Sequence, residues 1–135
     1  MKSLLLAGLL AFVSFAPQAQ AFDDVRELKV VMEEMGTLFK ALGKSVAQGK
    51  VGAPELASAR QLVKLVEESA TILPDLSTFP NRDVAAARYL DLTAQLLVVM
   101  KDAEAAISRA DAAAALKALE AAKELRTLGH DEFKL

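Results

Sequence analysis

The sequence predicts an all-α fold, an antiparallel up-down-up-down four-helix bundle, on three observations. Alanine and leucine dominate, and apolar residues recur at helical spacing without period-two clusters of Val, Ile or Thr. Breaks that carry proline, glycine or aspartate divide the chain into four segments of comparable length. Each segment has one apolar face and one charged face, so a single core can serve all four.

The stretch before the first helix, MKSLLLAGLLAFVSFAPQAQA, has a basic start at Lys2, an apolar run from Leu4 to Phe15 and the ending Ala19-Gln20-Ala21. This is the grammar of a cleaved secretory signal peptide, with an apolar run too short to span a bilayer comfortably. Residues 1–21 are therefore expected to be removed. That leaves residues 22–135, 114 in all, as one exported, soluble, periplasmic domain with no membrane segment.

Helix one is predicted from Asp23 to about Gln48. Val25, Leu28, Met32, Met35, Phe39, Leu42 and Val46 alternate steps of three and four, an a/d seam. Asp23 and Asp24 are placed to cap it, and Gly49-Lys50-Val51-Gly52-Ala53-Pro54 breaks it. Helix two starts near Pro54, carries Leu56, Ala59, Val63, Val66, Ala70 and Leu73, and is ended by Pro74. The loop LPDLSTFPNRD leads into helix three, Asp83 to about Ser108, with Tyr89, Leu92, Leu96, Val99, Ala103 and Ile107 facing inward. A turn at Arg109-Ala110-Asp111, with Asp111 as cap, opens helix four, 112–133.

Composition excludes several functions. Without Lys2 the chain carries 15 basic against 18 acidic residues, so it lacks the basic character of a nucleic-acid binder. Zero cysteines exclude disulfides, thiolate metal sites, thiol catalysis and covalent haem attachment through Cys-x-x-Cys-His. There is no nucleophile–His–acid spacing, no glycine-rich phosphate loop and no paired-histidine motif, so no enzyme is expected and no catalytic residue is assigned.

The one histidine, His130, stands near the end of helix four in LRTLGHDEF. At about 100° per residue it lies within about 20° of Leu119, 40° of Leu116 and 60° of Phe133, which puts it inward or at the rim. In the predicted topology the end of helix four lies beside the start of helix one. Met32, about 13 Å into that helix, also points inward. Imidazole and thioether are the axial pair of a six-coordinate cytochrome iron, and a non-covalent haem needs no cysteine. Taken alone, a lone histidine on an apolar face is more often a packed or half-exposed residue, and a seam methionine is more often core.

Two stretches carry a family resemblance. VVMEEMGTLFKAL, residues 30–42, resembles the first helix of the cytochrome b562 proteins, relatives in fold of cytochrome c-prime. LRTLGHDEFK, residues 125–134, resembles their C-terminal haem motif, with Arg126 and Gly129 where the c-type members carry two cysteines. The resemblance implies a periplasmic electron-transfer protein with one non-covalent haem b between helices one and four. Its ligands would be Met32 and His130, with Met35 and Phe39 as packing residues. Arg126 is expected to neutralise a haem propionate or cover the haem edge. Pocket walls mainly of Leu, Val and Ala are expected, since aromatics are few. The implied partners are redox proteins of unstated identity, and the chain is expected to be a monomer or weak dimer.

Three rival readings stand beside this one. The first is a haem-free helical-bundle chaperone or stress adaptor, to which Leu92-Thr93-Ala94-Gln95 gives one incomplete motif match. The second is a five-coordinate haem ligand sensor in which Met32 moves away. The third is a metal site of His130 with Asp131 or Glu132.

Overall fold

Four helices account for most of residues 26–135, the part of the chain that the computed structural model describes: α1 (Leu28–Ala47), α2 (Ala53–Ser69), α3 (Arg82–Ser108) and α4 (Ala112–Phe133). The signal peptide expected at residues 1–21, the seam residue Val25 and the caps expected at Asp23 and Asp24 lie outside the described residues. No helix among the described residues is long and apolar enough to cross a membrane.

The helix ends follow local chemistry. α1 closes with Gly49 at φ 83°, its N–H donating to the Val46 carbonyl at 2.8 Å and that of Lys50 to Ser45 at 3.0 Å. Two orphan carbonyls are thereby satisfied in a left-handed turn that glycine adopts without strain. Pro54 sits in the first turn of α2, and Glu55 accepts the Gly52 N–H at 2.9 Å. The Asn81 side chain caps α3 by accepting the Val84 N–H at 3.1 Å, and Asp111 caps α4 by accepting that of Ala114 at 3.0 Å. The cap expected at Asp111 is thus present.

Side-chain bridges define the topology. Arg26, just before α1, makes two bonds to Glu68 near the end of α2, at 2.9 and 2.6 Å. Arg60, midway along α2, pairs with Glu104, late in α3, at 3.2 Å. Arg88, early in α3, pairs with Glu132, at the end of α4, through two contacts of 2.9 Å. Start meets end in the first and last of these pairs, and Tyr89 early in α3 bonds Ser69 at the end of α2, so the chain runs up, down, up, down. The ring closes where α4 meets α1, the thinnest of the four seams.

Burial follows the predicted faces with three corrections. The first concerns α1: Val31 is fully buried and Met32 only half-buried, against the expected seam. A straight helix drifts from a seven-residue repeat. Counting back from buried Leu42, Val31 falls about 20° from the same face and Met32 about 80° off it. The same drift places Met100 in the core of α3 where Val99 was expected. Finally, α2 stops at Ser69 rather than at Pro74, and Leu73 is 50% exposed. There the Tyr89 hydroxyl donates to the Ser69 carbonyl at 2.6 Å. The Ser69 and Thr71 hydroxyls donate to the carbonyls of Val66 and Glu68, both at 2.7 Å. Such bonds compete with continued helix.

The main core fills the middle of the bundle. A smaller cluster of Ala85, Tyr89, Leu92 and Phe133 holds the end where α1 and α3 begin and α2 and α4 finish, with Leu76 and Phe79 of the loop folded onto it. The Tyr89 and Phe133 rings meet edge to face at 5.5 Å, and those of Phe79 and Phe133 lie 5.4 Å apart.

Candidate functional site

At that end the seam between α1 and α4 opens into a cleft. Its floor is a cavity of about 40 Å³, room for a few water molecules. It leads into a groove of about 770 Å³ between the start of α1, the end of α4 and the 72–75 loop. That volume falls within the range of about 300–1,000 Å³ typical of small-molecule and cofactor sites. Met32, Arg126, His130, Phe133 and Leu135 line both spaces.

The three residues singled out in the sequence, Met32, Arg126 and His130, are therefore brought together. Met32 reaches the cleft because it is turned off the core face of α1, not because it belongs to the seam. Met35, one turn further on, touches the same cavity but is buried in the core. The expectation of Leu, Val and Ala walls is corrected: Tyr89, Phe133 and the two methionines line the cavity with Leu92, Leu96 and Leu125. Tyr89 and Phe133 fall on the helical period of α3 and α4, so few aromatics sufficed to concentrate at this end.

His130 is half-buried, and its Nδ1 lies 2.6 Å from the main-chain oxygen of Leu135. An oxygen of that kind only accepts, so Nδ1 donates, and a neutral ring then keeps its lone pair on Nε2. Arg126 is half-buried with its guanidinium carbon 4.8 Å from the Phe39 ring centroid, a cation–π contact. It approaches the α1 backbone at Gly36, where a Cβ would stand 3.3 Å from its terminal nitrogen. Among the described residues Arg126 forms no ion pair, and burial lowers its pKa.

The other polar groups of the inner cavity are internally committed. Tyr89 donates to Ser69, Ser69 to Val66 and Thr93 to the Leu90 carbonyl at 2.9 Å. No buried side-chain nitrogen or oxygen among the described residues lacks a partner. What the inner cavity offers a ligand is an imidazole, thioether sulfur, a guanidinium and apolar wall, and the outer groove adds the charged side chains of Glu27, Lys29, Glu33, Asp75 and Lys134.

Among the described residues no three His, Cys, Asp or Glu side chains converge on a bare metal ion. The rival site of His130 with Asp131 or Glu132 gains no support: Glu132 is held by Arg88, and no third such side chain joins them among the described residues. Sequence reasoning missed the Leu135 contact, which forms only through a left-handed Lys134 with φ 56°. No residue type at position 134 signalled that turn. Comparisons with protein-family models, curated proteins and solved structures find no match.

Proposed function

We propose that this protein binds one b-type haem non-covalently between α1 and α4 and carries single electrons among periplasmic redox proteins. Met32 and His130 would hold its iron. One observation carries this reading: the only histidine and a methionine turned off the core share one apolar cavity with an arginine that has no ion pair among the described residues. The residues fit the group. Two neutral donors stand on facing helices, a pair too few for a bare ion but suited to iron already held by four porphyrin nitrogens. The walls are apolar and aromatic, and the desolvated Arg126 suits a carboxylate such as a propionate. When bound, the haem supplies a one-electron iron couple, and a thioether ligand favours its reduced form.

The chain does the rest. His130 offers Nε2 while its Nδ1–H is held by Leu135. Met32 offers sulfur from a helix pinned at its start by the Arg26–Glu68 pair. Met32 and His130 would both be engaged in holding the group, so no enzymatic activity is assigned.

The test is an absorption spectrum of the chain from residue 22 mixed with haemin, oxidised and then reduced with dithionite. Sharp reduced α and β bands that resist carbon monoxide are expected. Ready carbon monoxide binding would favour the five-coordinate sensor. A broad spectrum like that of free haemin would remove the haem and favour the haem-free helical-bundle reading.

A further inference from the structure

We infer that the Lys134–Leu135 turn is a positioning device that locks His130 as its Nδ1–H tautomer and presents Nε2 as the donor in the cleft. That Nε2 meets a haem iron rests on the function proposed above; the lock itself does not.

The geometry is a hook. α4 ends at Phe133, which is buried edge-on against Tyr89 and anchors the turn. Lys134 then takes the left-handed conformation, φ 56° and ψ 43°, and its N–H donates to the His130 carbonyl at 2.8 Å. This reverses the chain, and the main-chain oxygen of Leu135 comes to 2.6 Å from Nδ1 of the same histidine. His130 is thus bound twice by the two residues that follow its helix, once through its backbone and once through its ring.

A free neutral imidazole exchanges its proton between two nitrogens. A fixed acceptor at Nδ1 selects one form and restricts the rotation of the ring. Metal-binding histidines gain from such an outer partner, whose loss typically costs 10–100-fold in affinity. The hook places this partner without any polar side chain. It also stands a side-chain-bearing residue at positive φ, a strained choice that its two hydrogen bonds hold in place.

Two variants at Lys134 separate the backbone from the charge. Lys134→Gly and Lys134→Val both remove the ammonium, but glycine keeps the left-handed turn and a β-branched valine opposes it. The first readout is long-range proton–nitrogen NMR of the haem-free full chain at mildly alkaline pH. Wild type and Lys134→Gly are expected to show a single Nδ1–H tautomer, and Lys134→Val a mixture. A tautomer mixture in wild type, or an unchanged lock in Lys134→Val, would overturn the hook.

The second readout is haemin titration, in which Lys134→Val is expected to bind about tenfold more weakly than the other two. Equal affinity in all three would overturn the role of the hook in ligation. Should the tautomers behave as expected while no variant, wild type included, takes up haemin, the hook stands and the haem assignment falls.

Discussion

Arg126 separates the demands of folding from those of binding. Its charge is half-buried against Phe39 with no carboxylate partner among the described residues, and burial works against the charged form. Replacing it with an apolar chain of similar length relieves that cost. Arg126→Met is therefore expected to melt no lower than wild type without haem, yet to bind haemin about tenfold more weakly, as when a charged hydrogen bond is lost. Thermal melts with and without haemin check both halves; a clear loss of haem-free stability would show the guanidinium to be structural. Tyr89 makes a different case. Burial raises its phenol to about 12 against an ordinary value of 10.0, partly opposed by the neighbouring Ser69 hydroxyl. The folded state holds the proton more tightly than the unfolded one. Stability from this source is therefore intact below pH 10 and declines as pH rises from about 10 to 12. Tyr89→Phe should lose about 1 kcal/mol at neutral pH and flatten that alkaline decline, as read from denaturant midpoints.

The helices were legible because apolar period and end signals agree. Asp111 announces α4 and caps it, and Pro54 announces α2. Removing the first of these caps, Asp111→Ala, should cost about 1 kcal/mol. Its neighbour offers a gain. Ala110 ends α3 at φ 58°, with the Asp111 N–H on the Ala106 carbonyl and its own on Ile107, both within 2.9 Å. Glycine fits that left-handed position better, so Ala110→Gly should raise stability by about 1 kcal/mol, seen as a higher denaturation midpoint with unchanged slope. What the sequence hid was rotation. A strict heptad count put Met32 in the core, but the true helical period carries Val31 inward and leaves Met32 at the cleft edge. The early stop of α2 was hidden for another reason: the bond that competes for the Ser69 carbonyl comes from Tyr89, in a different helix.

Across the whole molecule, the bundle is pinned at its cleft end by two arginine–glutamate pairs, Arg26–Glu68 and Arg88–Glu132. Each arginine holds its partner carboxyl below the usual carboxylate range. A depressed folded pKa contributes stability above the ordinary value, and the contribution is lost as pH falls through the folded one. Such solvent-screened pairs contribute little to global stability, so acid should loosen this end before it unfolds the core. Hydrogen exchange at falling pH should show amides at the start of α1 and the end of α4 opening ahead of those around Leu96 and Met100. The topology that brings Met32 and His130 to one end followed from counting four helices, so the neighbourhood of the site was legible before its geometry. The central claim is that these two residues hold one iron. The most direct measurement is a haemin titration by absorbance on wild type, Met32→Ala and His130→Ala, with the volume-conserving Met35→Leu as the control for a neighbouring sulfur. One haem per chain with a low-spin six-coordinate spectrum is expected for wild type and Met35→Leu, a high-spin spectrum for Met32→Ala, and loss of specific binding for His130→Ala. Indistinguishable titrations for wild type, Met32→Ala and His130→Ala would contradict the assignment.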